Sequence, residues 1–128
     1  MTYTTPSQSN MPMEPHSSLA RWFEGKLTLH TSNQMLASSK IQLAKALDIP
    51  EDNVRLLSPY VGGGFGSKLG ISPESVMAAI AAKDLKRPVL VNMTRPQVME
   101  TTVRRTNTEQ RVALGADKDG KIHTIIHN

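Results

Sequence analysis

Four of the eight glycines in this 128-residue chain stand within five positions, in the segment VGGGFGSK at residues 61–68. A plain turn needs one or two glycines, and a longer run destabilises the folded state because glycine loses the most conformational entropy on folding. Phe65 lies inside the run, and a bulky apolar side chain favours burial over a slack loop. The run therefore predicts backbone that a large ligand approaches closely, with N–H groups free to donate. A strand-to-helix connection that needs positive φ is the simpler alternative.

Neither of the two common nucleotide-binding glycine motifs fits the run. A P-loop needs glycine directly before its lysine and serine or threonine directly after it. Here Ser67 precedes Lys68 and Leu69 follows it. A dinucleotide fingerprint needs a third glycine, and Ser67 occupies that position. Both nucleotide motifs are therefore rejected.

The composition excludes several classes of site and protein. The chain has no cysteine, which rules out disulfides, thiolate zinc sites and cysteine-held iron–sulfur clusters within it. Its longest apolar run, residues 76–82, is far shorter than the ~20 residues of a membrane-spanning helix. The formal net charge is +4, but the basic residues are scattered and only 4% of residues are aromatic. This pattern favours a solvated basic face over a nucleic-acid surface.

Hydrophobic periodicity predicts an α+β fold with a mixed sheet and two main helices, as part of a larger domain. Residues 1–17 hold three of the eight prolines and no apolar periodicity, so they are predicted to form an extended lead-in. Residues 18–128 are then predicted to belong to the domain itself. The last predicted strand reaches the end of the chain without a closing element, which predicts that the chain is a piece of a longer protein.

The expected elements alternate strand and helix around the glycine run. A hairpin turning at Glu24-Gly25 comes first, because its second strand alternates apolar and polar residues. The second main helix begins at Ser72–Glu74, since serine is a good N-cap and proline suits the first helical position. Val76, Met77 and Ile80 are predicted as its apolar side, and its many alanines are expected to allow close packing. The other elements are a first helix at residues 33–47 and strands at 54–57, 89–93, 108–114 and 121–127.

Several polar residues outside the run have a structural interpretation. Thr31 and Gln34 have the spacing of a capping box at the start of the first helix. Glu14 is the only acid in the lead-in and is interpreted as a solvated or structurally paired carboxylate. His123 and His127 are four apart, but in a strand this spacing separates them by about 13 Å. The spacing therefore argues against a metal site formed by the two histidines.

Three segments of the chain resemble one family. SPYVGGGFGSK, the preceding TSNQMLASSKIQLAKALDIPEDNVRL and the lead-in MPMEPHSSLARW resemble the molybdopterin-binding region of the xanthine dehydrogenase and aldehyde oxidase family. The resemblance implies that Gly63, Gly64, Phe65 and Gly66 line the molybdenum end of a molybdopterin cofactor. It also implies that the Gln34 amide donates a hydrogen bond to the apical oxo group of the metal, in place of the capping role.

Leu69 bears on the substrate class within that family. Purine-oxidising members carry a glutamate directly after the loop lysine, where this chain has Leu69. A leucine cannot orient a purine, but it can pack against an apolar or aromatic aldehyde. The resemblance therefore implies Leu69 as a substrate contact and favours aldehyde over purine oxidation.

The resemblance also implies partners for the chain. The catalytic base of the family is a glutamate far toward the C-terminus of the full subunit, and no residue here matches it, so no catalytic residue is assigned. The remainder of the large subunit and the iron–sulfur and flavin domains or subunits are expected as partners. The chain alone is then an inactive fragment of a molybdenum hydroxylase. The alternative is a small stand-alone binding or regulatory module with a glycine-rich ligand loop.

Overall fold

The computed structural model describes all residues from Met1 to Asn128. The chain forms two compact units, one made of Met1–Ser9 with Arg104–Asn128 and the other of Asn10–Val103. The fold is α+β with both mixed and antiparallel sheets, as predicted. In chain order the strands are β1 (Thr2–Thr5), β2 (Gln8–Ser9), β3 (Ser17–Phe23), β4 (Lys26–Thr31), β5 (Val54–Leu57), β6 (Val89–Asn92), β7 (Arg104–Arg105), β8 (Thr108–Ala116) and β9 (Ile122–His127), and the helices are α1 (Leu36–Ala46), α2 (Pro73–Asp84) and α3 (Arg95–Thr101).

The larger unit is built on a four-stranded sheet in the order β5-β4-β3-β6. Strands β3 and β4 form the predicted hairpin, and Glu24 and Gly25 at its turn have φ of +47° and +75°. A two-residue type I′ turn requires positive φ at both central residues. Strand β6 adds antiparallel to β3, whereas β5 pairs in parallel with β4 after the crossover through α1. This sheet is therefore mixed.

One face of this sheet carries the core and the other is open. Helices α1 and α2 pack on the covered face. The buried hydrophobic cluster between them comprises Ala20, Leu27, Leu29, Leu43, Ala44, Val54, Ala78, Ala79 and Ala82. On the opposite face Leu19 and Leu90 lie side by side on β3 and β6, and both are exposed. Alternation along each strand separates the two faces, as expected for a half-covered sheet.

Helix α1 begins at Leu36, three residues later than predicted, because Asn33 is committed to other contacts. Asn33 Oδ1 accepts the N–H of Met35 at 2.8 Å, and Asn33 Nδ2 donates to Ser39 Oγ at 2.9 Å and to the Gly70 carbonyl at 3.0 Å. A side chain that bonds its own backbone two residues on forms a turn rather than a helix. Asn33 therefore lies in the turn that precedes α1, and the helix begins only after the N-cap Met35.

The capping box expected from Thr31 and Gln34 is wrong. Thr31 is the last residue of β4, and its hydroxyl donates to the Ser17 carbonyl at 3.2 Å. The N-cap of α1 is Met35, which makes no capping hydrogen bond through its side chain. Gln34 is therefore available for a different role.

Helix α2 begins at Pro73 as predicted, but it buries a different face. Met77 and Ile80 are exposed, and only Val76 of the predicted apolar side packs partly against the core. The buried hydrophobic residues of the helix are three alanines, Ala78, Ala79 and Ala82. Their small side chains bring the helix backbone close to β3, where Trp22 Nε1 donates to the Ala79 carbonyl at 2.8 Å. The helix therefore faces the sheet with its alanines, which allow a close backbone approach, rather than with the larger side chains of Met77 and Ile80.

The short segment around Pro96 is a third helix, α3, which the sequence reading missed. The N–H of Thr94, its N-cap, donates to Gln97 Oε1 at 2.8 Å. Thr-x-x-Gln with proline in the first turn is a recognisable start signal. The start signal was thus present in the sequence, but the helix has only seven residues, which is too short for a clear apolar periodicity.

The smaller unit contains a three-stranded sheet in the order β1-β8-β9 and a two-stranded pair of β2 and β7. Strands β8 and β9 form the predicted antiparallel pair. Strand β9 carries both His123 and His127, and His123 Nε2 lies 3.0 Å from Asp117 Oδ2. No helix in the chain combines the length and apolar character needed to cross a membrane.

Candidate ligand-binding site at the glycine loop

The glycine loop, defined here as residues 62–68, is tied at both ends by Glu14. Glu14 Oε2 accepts the N–H of Gly62 and the ammonium of Lys68, each at 2.7 Å. The N–H of Glu14 donates to the Gly62 carbonyl at 3.1 Å. Lys68 Nζ donates further to the Glu14 carbonyl and to Ser32 Oγ, both at 3.1 Å. Glu14 is therefore the structurally paired carboxylate that its sequence context allowed.

The electrostatics of this pair favour an ionised Glu14. The Lys68 side chain is 0% exposed and that of Glu14 is 38% exposed. Partial burial acts to raise the pKa of Glu14, but hydrogen bonds from Lys68, Ser32 and Gly62, together with the Lys68 charge, hold that pKa below its usual value of 4.5. The carboxylate is thus charged at neutral pH and accepts bonds from both ends of the loop.

Gln34 fastens the second half of the loop. Gln34 Oε1 accepts the N–H groups of Gly66 and Lys68, each at 3.2 Å, and the N–H of Gln34 donates to the Lys68 carbonyl at 2.8 Å. These two donors fix the orientation of the Gln34 amide. If the amide were flipped, its NH₂ group would face two N–H donors and no acceptor. The Gln34 Nε2 group is left without an acceptor in the chain, on an exposed residue.

Two of the glycines are required by close contacts within the protein. A Cβ on Gly64 would stand 2.3 Å from Gln34 Oε1, and a Cβ on Gly62 would stand 2.5 Å from Glu14 Cβ. Gly64 was expected to be bare so that a ligand could approach. Its immediate neighbour is instead the Gln34 amide, which rests on the backbone at this position.

The middle of the loop presents unpaired backbone donors. Gly63 and Gly66 have φ of +93° and +92°, a region that favours glycine, and Phe65 has φ of +51°. The N–H groups of Gly63, Gly64 and Phe65 make no hydrogen bond within the chain. Buried backbone N–H groups are almost always paired in folded proteins, and Gly64 is buried. Three consecutive donors are therefore available here to an acceptor from outside the chain.

Phe65 itself is not buried in the chain, contrary to the expectation for a large apolar side chain. The residue is 73% exposed to solvent. Leu69 is half-exposed, and its Cδ1 lies 3.9 Å from the position that a Cβ on Gly66 would occupy. The predicted site residues thus lie in the loop, directly after it in the case of Leu69, or bonded to it in the case of Gln34.

One contact of the loop, made by His16 through Ser67, was missed by sequence reasoning. His16 is buried, its Nε2 donates to the Ser67 carbonyl at 3.1 Å, and its Nδ1 has no hydrogen-bond partner. Ser67 Oγ in turn donates to the Gly64 carbonyl at 2.8 Å. His16 lies two positions after Glu14 in an irregular segment, where no periodicity indicates which side chains point inward. Its contact depends on the folded loop.

The whole chain, residues 1–128, matches the family model of the molybdopterin cofactor-binding domain. The chain belongs to this family. The aldehyde oxidoreductase molybdenum-binding subunit PaoC of Escherichia coli is 52% identical to it over 126 residues, which cover 98% of this chain and 17% of PaoC. The 6-hydroxypseudooxynicotine dehydrogenase complex subunit gamma of Paenarthrobacter nicotinovorans is 32% identical over 131 residues, which cover 98% of this chain and 16% of that subunit.

The fold of this molybdopterin-binding domain is also found in a solved enzyme. The aldehyde oxidoreductase of Desulfovibrio gigas superposes with a TM-score of 0.88 and 27% sequence identity, over 95% of this chain and 14% of that one. The chain thus spans only about one sixth of the length of the relatives it matches.

The residues at the glycine loop fit a molybdopterin cofactor. The unpaired N–H groups of Gly63, Gly64 and Phe65 and the free Nε2 of Gln34 are uncharged donors, and the pterin and the oxygen ligands of molybdenum offer acceptors. Backbone donors are held by the fold and need no reorientation on binding. The loop therefore presents donors that suit the acceptors of such a cofactor.

Proposed function

We propose that this chain is the part of a molybdenum hydroxylase large subunit that holds the molybdenum end of molybdopterin, in an enzyme that oxidises aldehydes. The observation that carries the proposal is the Gln34 amide, fixed with its Nε2 unpaired beside three unpaired loop N–H groups. The bound cofactor supplies the oxidation of the substrate carbon with a water-derived oxygen. Residues 1–17 are the lead-in and residues 18–128 part of the larger cofactor domain.

Each loop residue has a distinct task in this proposal. Gln34 donates to an oxygen ligand of the metal, and Gly63, Gly64 and Phe65 donate backbone N–H groups to the cofactor. Gly66 contributes by lacking a Cβ, because its own N–H is already bonded to Gln34. Neutral donors suit this position, since they stabilise an oxygen ligand without supplying a proton that could be transferred to it.

No residue at the loop serves as the catalytic base. Glu14 is the nearest carboxylate, and its accepting oxygen is occupied by Gly62 and Lys68. We infer that the base comes from another part of the complete subunit, and that iron–sulfur and flavin centres in other domains or subunits accept the electrons. The similarity to the aldehyde oxidoreductase subunit PaoC supports the aldehyde substrate class.

The complete subunit, assembled with its partners, is expected to oxidise an aromatic aldehyde with a rate proportional to its bound molybdenum. The 128-residue chain alone is expected to show no turnover with the same aldehyde and an artificial electron acceptor, because it lacks the base. Turnover and metal content are measured in the same preparations. Molybdenum-dependent turnover by the 128-residue chain alone contradicts the expectation that this chain is inactive. A complete subunit without molybdenum contradicts the proposed function and favours the alternative of a binding module.

Leu69→Glu in the complete subunit is expected to lower the ratio of kcat/KM for an aromatic aldehyde to kcat/KM for a purine by about tenfold or more. Burial of an apolar side chain against the substrate is worth about 1.5–3 kcal/mol, and a carboxylate there lacks a partner. Leu69→Met, which preserves the apolar volume, is the matched control and should leave the ratio near that of the wild type. An unchanged ratio in Leu69→Glu means that Leu69 does not face the substrate.

A further inference from the structure

We propose that the Glu14–Lys68 ion pair is the positioning element of the cofactor loop, because one carboxylate oxygen fixes both ends of residues 62–68. Glu14 Oε2 bonds Gly62 N at the start of the loop and Lys68 Nζ at its end, each at 2.7 Å. The pair thereby sets the direction of the unpaired N–H groups between those two residues. This inference rests on the proposed function for its ligand, but its structural part can be tested without the cofactor.

Lys68 is a positioning residue rather than a ligand-binding one. An ammonium group has three N–H donors. In Lys68 they are taken by Glu14 Oε2 at 2.7 Å, by the Glu14 carbonyl at 3.1 Å and by Ser32 Oγ at 3.1 Å. The side chain is also 0% exposed. Lys68 therefore has neither a free donor nor an accessible surface with which to contact a bound molecule.

The pair also controls the orientation of the Gln34 amide. The backbone N–H of Lys68 is one of the two donors to Gln34 Oε1, and the Lys68 carbonyl accepts the N–H of Gln34. A displacement of Lys68 removes both contacts. The Nε2 group of Gln34 then loses the orientation that leaves it free to donate to a ligand.

A geometric role explains why the chain buries a lysine. Replacing a buried ion pair by apolar side chains of similar volume is often neutral or stabilising, so such a pair is weak support for stability. The Glu14–Lys68 pair instead joins three segments that are far apart in sequence, namely the lead-in, the start of the first crossover at Ser32 and the loop. Apolar contacts lack the directionality to fix these segments in one register.

The decisive comparison is between Lys68→Met and the double variant Glu14→Gln with Lys68→Met, both in the complete subunit. Groups that orient direct ligands typically cost about 10- to 100-fold in affinity when they are removed. Both variants are expected to retain no more than about one tenth of the wild-type amount of molybdopterin per folded subunit. Lys68→Met leaves the Glu14 carboxylate without its ammonium partner, and the double variant removes that carboxylate. A loss of stability caused by the unpaired charge is therefore relieved in the double variant. Recovery of wild-type cofactor content in the double variant overturns the proposal.

Amide hydrogen exchange supplies a readout that does not depend on the cofactor. The N–H groups at positions 66 and 68 are expected to exchange at least about tenfold faster in the double variant, because their Gln34 acceptor is displaced, whereas the amide of Leu43 in α1 keeps its protection. Unchanged exchange at positions 66 and 68 overturns the positioning role. A wild-type subunit without molybdopterin contradicts the proposed function, and the exchange comparison then decides the present inference by itself.

The pair also predicts an acid-dependent release of the cofactor. Because the pKa of Glu14 in the folded protein is below its usual 4.5, its contribution is fully present above about pH 4.5 and is lost as the pH falls through the folded pKa. Cofactor retention by the wild type is expected to fall over that window, while the fold is monitored by circular dichroism. Glu14→Gln, which preserves the shape of the side chain, is expected to lack this step. The same step in Glu14→Gln overturns the assignment to Glu14.

Discussion

Gly64→Ala is expected to leave the complete subunit folded but to reduce its affinity for molybdopterin by about 10- to 100-fold, the range for groups that orient direct ligands. The added Cβ would stand 2.3 Å from Gln34 Oε1 and 2.4 Å from Gln34 Cδ, so the amide must move. Its movement breaks the hydrogen bonds from Gly66 and Lys68. Each such bond contributes about 0.5–1.5 kcal/mol, so the stability loss is modest. Bound molybdenum and pterin are measured beside the melting temperature.

The matched variants for this prediction are Gln34→Ala and the double variant Gly64→Ala with Gln34→Ala. If the methyl group acts by displacing Gln34, it adds no further loss once that side chain has been shortened, because the methyl then occupies the vacated space. A double variant with less cofactor than Gln34→Ala alone shows that the methyl also meets the cofactor. Full occupancy in Gly64→Ala contradicts the placement of Gln34 on this backbone.

Leu29→Ala is expected to destabilise the 128-residue chain by about 2–5 kcal/mol, the range for a buried leucine replaced by alanine. Leu29 is 0% exposed, and its neighbours across the sheet are Ala20 on β3 and Leu56 on β5. Neither neighbour can fill the cavity without movement of a strand. The free energy of unfolding from chemical denaturation measures the loss.

Leu90→Ala is the matched control, because Leu90 is 56% exposed on the open face of the same sheet. Its cost is expected to stay within about 0.5 kcal/mol, as for surface substitutions in general. Equal losses in the two variants mean that both faces of the sheet are covered in solution, for instance by self-association of the chain. Sedimentation at two protein concentrations separates that case from a wrong assignment of the core.

The hairpin of β3 and β4, strands β5, β6, β8 and β9, and the start of α2 follow from local sequence. Periodicity and turn residues act over a few positions, and these elements obey them. The length of α1 does not follow, because Asn33 is held by contacts to Ser39 and Gly70 that exist only in the folded chain. The buried face of α2 was wrong for a related reason. Its alanines pack against β3, and periodicity counts large apolar residues.

The candidate site shows the same division. Gly63 and Gly66 need positive φ, which glycine composition can indicate. Gly62 and Gly64 are glycines because Glu14 and Gln34 lie against them, and no local pattern reveals a contact across that distance in sequence. The family resemblance predicted Gln34 as a site residue. The pairing of Glu14 with Lys68 and the contact of His16 with Ser67 are visible only in the folded structure.

The bonds that shape the glycine loop have a consequence for the order in which the chain folds. They join residues separated by 54 positions for Glu14 and Lys68, 48 for Glu14 and Gly62, and 34 for Gln34 and Lys68. Closing such long loops costs chain entropy before the contacts form, and non-local contacts slow folding. The β3–β4 hairpin and the two main helices are local and can form first. We therefore expect the loop to order late, so that its unpaired N–H groups and the Gln34 amide reach their positions only after the core elements have formed.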